Sequence, residues 1–257
     1  YAPYEFHKII DGQDTIVGFD IDIAREIAKD LGVELVINEY SFDSLLQALN
    51  SGKIDIVISG MNPSPERAKS VDFSDIYYTA QHAVMVRAED KDKIKTIDDL
   101  KGKKVGAQLT TTQEDIVKEK MPDSTLVSLK TIPNLVLELM NKKVDAIVVE
   151  LPVAKGYVKN NSGLAISDID VNEDISEEES GNAVAVRKNN KDLVEQINKT
   201  IARIQKDGTL DKYIAQANEM NEIQDEADSE ENAEANENAD TEAINTEENT
   251  TNKDTAE

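Results

Sequence analysis

Residues 45–60 and 135–150 repeat one another without a gap, and that repeat restricts the fold more than any other feature of the chain. Leu45, Leu49, Lys53, Ile54, Asp55 and Ile58 of the first copy correspond to Leu135, Leu139, Lys143, Val144, Asp145 and Val148 of the second. Each copy reads as the end of a helix, a tight turn and a short apolar strand. Leucines at i and i+4 share one helix face, and a continuous apolar run bounded by polar residues fits a parallel strand covered on both sides. Two such units imply two similar lobes.

In the first copy the strand runs directly into Ser59, Gly60 and Asn62. These residues fall just past its carboxyl end, where open α/β sheets bind ligands. Ser64 reads as a helix N-cap with Pro65 at the first helical position, which places Arg67 at a helix start. Hydroxyl, free amides and guanidinium then converge on one point and suit a carboxylate. In the second copy Glu150 holds the place of Gly60. If the lobes face each other, one offers a cation and the other an anion, and an α-amino acid carries the complementary pair.

The rest of the chain supports α/β order. Residues 21–31 carry the spacing of an amphipathic helix closed by Gly32, and strands are expected over 33–38 and 54–59 around a helix over 42–50. Beyond the Arg67 helix come Val71-Asp-Phe-Ser74 and the strand Ala83-Val-Met-Val-Arg87. A related phrase, Ala183-Val-Ala-Val-Arg187, returns later, and the two strands are expected to form a hinge around an inserted lobe. Within that lobe strands are expected over 105–108, 126–128 and 144–149, and helices over 112–120 and 135–140. Helices over 193–207 and 210–217 close the pattern. The reading is therefore two lobes with mainly parallel sheets: lobe one at 1–80 and 182–220, lobe two at 81–181, and a ligand cleft between them.

Charge is unevenly spread. The chain of 257 residues has a net charge of −24, and residues 222–257 carry −13 of it, with Ile223 and Ile244 as their only large aliphatic residues. An acidic tail over 221–257 is thus expected to be disordered. The acidic body argues against nucleic-acid binding, and no apolar run approaches the ~18 residues of a membrane span. With no cysteine and only His7 and His82, no disulfide, metal site, cofactor or thiol nucleophile is expected. His82 reads as structural, and Asp20, Asp22 and the charges of 91–95 as solvated.

In order and spacing, several phrases resemble the polar amino-acid family of solute-binding proteins of ABC transporters, with the type II periplasmic-binding-protein fold. They are Gly18-Phe-Asp-Ile-Asp22, Ser51-Gly-Lys-Ile-Asp55, residues 60–67, Val71-Asp-Phe-Ser-Asp75, Leu100-Lys-Gly-Lys-Lys-Val-Gly106, Thr111-Thr-Gln-Glu114 and residues 144–152, and they span most of residues 1–217. The resemblance implies that Arg67 pairs with the ligand carboxylate, assisted by Thr111 and Thr112, and that Glu150 takes the ammonium. It implies that Ser59, Gly60 and Asn62 bind the ligand backbone, that Tyr1 and Phe42 sandwich its side chain, and that Gln108 lines the side-chain pocket. Glu150 stands where the family usually has Asp, Thr110 where Gly is common, and the family's first strand would precede Tyr1.

The expected function is that of an extracytoplasmic receptor that closes on a polar or basic L-amino acid and delivers it, as a monomer, to a membrane permease. Arginine and lysine rank first, then glutamine and histidine. The alternatives are a sensory ligand-binding domain of the same fold, or an enzyme such as a dehydratase. No spare acid or base constellation favours an enzyme.

Overall fold

The computed structural model describes residues 1–222. In chain order the elements are β1 (Phe6–Ile10), β2 (Gln13–Val17), α1 (Phe19–Leu31), α2 (Leu45–Asn50), β3 (Ile56–Val57), β4 (Val71–Thr79), β5 (His82–Arg87) and β6 (Lys104–Gln108). They continue with α3 (Thr112–Lys120), β7 (Thr125–Leu129), α4 (Ile132–Met140), β8 (Ala146–Glu150), α5 (Leu151–Asn160) and β9 (Leu164–Ile166). The last are α6 (Glu177–Ser180), β10 (Gly181–Arg187), α7 (Lys191–Lys206) and α8 (Thr209–Glu222). The expected acidic tail lies outside the described residues, apart from residues 221 and 222, which belong to α8.

Lobe two is built on the sheet β7-β6-β8-β5-β9. Its centre is parallel, β6 pairing with β7 and β8, because α3 and α4 act as crossovers. β5 enters from the other lobe and pairs antiparallel with β8 and β9. Val84, Val86, Val105, Ala146 and Val148 are buried with Ile116 and Val117 of α3 in one apolar cluster. The repeat noted above is realised, since α2 and α4 each lead through a turn into β3 and β8.

Lobe one holds the sheet β3-β10-β4 and the separate hairpin β1-β2. Here three sequence expectations fail. Residues 33–38 form no strand, and β3 is only Ile56–Val57, because a groove of about 460 Å³ lined by residues 33–38 and 53–58 separates the two backbones. Val33 and Val36 are left exposed as a result. The helix expected after Ser64 is only a 3₁₀ turn, Arg67–Lys69, although Ser64 Oγ does accept the Arg67 amide at 3.4 Å.

β5 and β10 lie in different sheets, so the two similar phrases do not pair with each other. The chain crosses at Ala80 and Gln81 and returns at Gly181, just ahead of each phrase, where the Ala80 amide donates to the Ser180 carbonyl at 3.0 Å. His82 is buried beside this crossing, with Nε2 3.3 Å from the Glu179 carbonyl and Nδ1 3.2 Å from Gln113 Nε2.

Candidate functional site

A cavity of about 580 Å³ opens between the lobes at the carboxyl end of β3. Tyr1, Phe42, Ser59, Gly60 and Asn62 line it from lobe one, and Gln108 and Thr111 from lobe two. The structure therefore gathers seven of the expected residues around one space. Arg67, Thr112 and Glu150 are not among the lining residues, and each has a physical reason.

Arg67 caps the edge of the cavity. Its Nη1 donates to the Asn62 carbonyl and its Nη2 to the Thr110 carbonyl of the other lobe, both at 2.8 Å, and the guanidinium lies 5.3 Å from the centroid of the Phe42 ring. Burial lowers its pKa to about 10, so it stays charged at neutral pH. Thr110 reaches Arg67 from a left-handed backbone with φ of 64°. A β-branched residue adopts that conformation at a cost, on the order of 1–3 kcal/mol, which accounts for glycine being common there.

Thr112 Oγ1 donates to Asn62 Oδ1 at 3.0 Å, and Asn62 Nδ2 donates to the Gly181 carbonyl at 2.8 Å. Both side chains thus bridge the lobes rather than face the cavity with free groups. Thr111 caps α3 by accepting from the Glu114 amide, and its hydroxyl donates to the Gln108 carbonyl at 2.6 Å. Gln108 Nε2 donates to the Lys130 carbonyl at 2.9 Å. Lys130 itself meets Asp43 across the cleft at 3.3 Å. Of these contacts, Thr112–Asn62 and Lys130–Asp43 join the two lobes.

Glu150 is withdrawn behind the cavity with no exposed surface. Tyr4 Oη donates to its Oε2, and Asn182 Nδ2 donates to its Oε1 at 3.2 Å. The same Asn182 nitrogen reaches the Gly60 carbonyl at 2.9 Å, so the strand ends of the two repeats are tied together as the sequence repeat implies.

Two acidic residues were not singled out by sequence reasoning. Asp20, expected to be solvated, is 1% exposed, and its Oδ2 accepts the Gly60 amide at 2.8 Å. Glu5 lines the cavity and accepts from Ser59 Oγ at 2.7 Å, while its Oε2 is shielded and has no hydrogen-bond partner. The signal available for Glu5 was slight: one charge between the aromatic residues Tyr4 and Phe6.

Burial pushes Glu5 and Asp20 well above the usual carboxylate range. Burial raises Glu150 to about 7 against the pull of Tyr4 and Asn182. Between the ordinary carboxylate pKa and about 7, the folded protein holds more protons than the unfolded chain, so stability falls as pH rises through that window. The Glu150 shift alone corresponds to roughly 3 kcal/mol. Glu26 and Asp72, held low by hydrogen bonds from Arg203 and Lys188, act in the opposite sense and lose their contribution only below the ordinary carboxylate range. Ligand-free protein should thus be more resistant to urea at pH 5 than at pH 8, and Glu150→Gln should flatten that difference. An equal midpoint at the two pH values in the parent would count against the buried acid cluster.

The family is now decided by comparison with known proteins. Residues 1–218 match the family model described as bacterial extracellular solute-binding proteins, family 3. The chain belongs to that family. It is 40% identical over 217 residues to the arginine-binding extracellular protein ArtP of Bacillus subtilis (strain 168), covering 82% of this chain and 80% of that protein. It is 35% identical over 216 residues to the ABC transporter arginine-binding protein 1 of Escherichia coli (strain K12), covering 84% and 86%. Among solved structures it resembles the amino acid ABC transporter substrate-binding protein AbpA from Streptococcus pneumoniae Canada MDR_19A bound to L-arginine. That match has a TM-score of 0.82 and 42% identity, and covers 87% of this chain and 93% of the other. The two-lobed α/β fold and the cleft are those of a solute-binding protein of amino-acid transport. No helix among the described residues is long and apolar enough to cross a membrane.

Proposed function

We propose that the cleft captures a polar L-amino acid, with basic side chains preferred and arginine and lysine ahead of glutamine and histidine. The receptor acts outside the cytoplasm as a monomer and delivers its ligand to the membrane permease of an ABC importer. Lobe one is residues 1–80 and 182–220, and lobe two is residues 81–181. The observation that carries the reading is Arg67, a charged guanidinium at the cavity edge whose fork is held by two neutral carbonyls, one from each lobe. A ligand carboxylate is a stronger acceptor for that fork than either carbonyl, and accepting it there would keep the lobes engaged. Glu150 supplies the opposite charge for the ammonium once the Tyr4 hydroxyl gives way.

Supporting this reading, several of the similar proteins are named as arginine-binding, and a solved structure of a similar protein holds L-arginine. Other relatives are named for histidine or L-cystine, so the side-chain preference belongs to the walls of the cleft rather than to its fold. The members named are binding proteins, and the reading is binding rather than catalysis. The test is a thermal-shift screen with all twenty amino acids. A ligand at 100 times its dissociation constant should stabilise the protein by about 2.7 kcal/mol. Arginine should give the largest shift, and a chain that responds to none of the twenty would overturn the reading.

A further inference from the structure

We propose that His82, held as a neutral imidazole with its proton on Nε2, is a positioning residue that orients the Gln113 amide at the lobe-two wall of the cleft and so ties ligand affinity to the inter-lobe crossing. The inference rests on the reading of the cleft as an amino-acid site and adds a residue that acts on it from behind. His82 is the first residue of β5, directly after the crossing at Ala80 and Gln81, and it is buried. One side chain pins its backbone on both sides: the His82 amide donates to Asn172 Oδ1 at 2.7 Å, and Asn172 Nδ2 donates to the His82 carbonyl at 3.0 Å. The ring then spans two elements, with Nε2 3.3 Å from the Glu179 carbonyl of α6 and Nδ1 3.2 Å from Gln113 Nε2 in the first turn of α3.

The partners leave one consistent arrangement. A carbonyl only accepts, so Nε2 carries a proton, and an amide nitrogen only donates, so Nδ1 is bare. Turning the Gln113 amide round would set its oxygen against Nδ1. That requires either a second ring proton, which makes a buried cation, or a move of the single proton to Nδ1, which leaves the Nε2 lone pair against the Glu179 carbonyl. Burial disfavours the charged ring and holds the His82 pKa below its ordinary value. Gln113 is itself buried and lines the cavity beside Thr111, the cap of α3. An amide whose nitrogen is held in this way presents its oxygen on the other side, as an acceptor for a ligand N–H. Without the ring the amide could turn in either sense, and a ligand would have to order it on binding.

The experiment is calorimetric titration of the parent, His82→Ala, His82→Asn, His82→Gln and Gln113→Ala with L-arginine, or with whichever amino acid gives the largest shift in the screen. Asparagine places an amide oxygen about where Nδ1 lies and can accept from Gln113, whereas glutamine places its polar group where Nε2 lies and reaches only the Glu179 carbonyl. His82→Ala should lower affinity by roughly tenfold, His82→Asn should restore it to within about 3-fold of the parent, and His82→Gln should stay with the alanine variant. The double variant His82→Ala with Gln113→Ala should lose about as much as the larger single change, because both remove one contact. Restoration by glutamine in place of asparagine, or additive losses in the double variant, would overturn the inference. Nitrogen NMR gives a readout that needs no ligand, since His7→Gln leaves His82 as the one imidazole of the chain. The expected signal at neutral pH is the Nε2–H tautomer; an Nδ1–H tautomer or an imidazolium would overturn the inference, and this measurement carries the test if the His82 variants do not fold. A parent that binds no amino acid overturns the cleft reading and this inference with it, whereas equal losses in the asparagine and glutamine variants of a parent that binds overturn this inference alone.

Discussion

Replacing Arg67 by alanine should lower amino-acid affinity by roughly 30-fold or more while leaving the chain folded. Removing one member of a desolvated charge pair costs about 2–5 kcal/mol, because the partner charge is left buried without compensation. Here the deletion takes away three things together: the charge facing a ligand carboxylate, the stack on Phe42 and the cross-lobe bond to the Thr110 carbonyl. Arg67→Lys retains the charge, yet an ammonium cannot hold two directed bonds in one plane, so a loss of at least about tenfold is expected even there. The side chain sits in a 3₁₀ turn at the rim rather than in the core, which is why folding should survive. Calorimetric titration, with circular dichroism as the folding control, decides the matter. A folded Arg67→Ala protein that binds as tightly as the parent would remove the central residue from the proposed site.

What the sequence made legible was local. Helix α3 begins and ends where its pattern predicts because its cap is contained in four residues, Thr111 accepting the Glu114 amide. The repeat placed Glu150 and Gly60 at matching strand ends, and Asn182 joins the two in the structure. What the sequence concealed depended on distant partners. Asp20 looks like a solvated residue in the first turn of α1, and its burial depends on distant groups such as the Gly60 amide, forty residues on. Residues 33–38 carry a good strand pattern, but a strand exists only when a neighbour lies within hydrogen-bonding distance, and a groove intervenes. Glu150 was correctly positioned along the chain, while its seclusion depends on Tyr4, which is 146 residues away. The similar phrases around Ala83 and Ala183 reflect two buried strands of like composition, and composition does not determine which sheet a strand joins.

The largest loss of stability should come from Gly18→Ala, a change of one methyl group. Gly18 has φ of 127°, a backbone state that residues with a side chain rarely adopt. A Cβ there would lie 2.0 Å from the Tyr4 carbonyl oxygen, 2.6 Å from its carbon and 2.9 Å from the Glu5 nitrogen, all of them backbone atoms that cannot swing aside. The crowding has a purpose in the fold. The first amides of α1 reach into the opening loop, Phe19 N–H donating to the Pro3 carbonyl at 3.2 Å and Asp20 N–H to the Tyr4 carbonyl at 3.0 Å. Those bonds hold Tyr1, Tyr4 and Glu5 against the end of β3, so the close approach at Gly18 is what positions the lobe-one wall of the cleft. Gly12 serves as the control, since its φ of 76° is also positive but nothing lies within 4 Å of its missing Cβ. Gly12→Ala should cost about 1 kcal/mol from backbone strain alone, and Gly18→Ala about 3 kcal/mol or more from strain plus overlap. In whatever fraction of Gly18→Ala protein remains folded, arginine affinity should also fall by more than about tenfold, because the wall carrying Tyr1 and Glu5 has shifted. Urea midpoints for the two variants, with titration of the folded material, test both parts. If the two alanine variants lose the same stability, the α1 terminus is not the clamp that holds the aromatic loop in place.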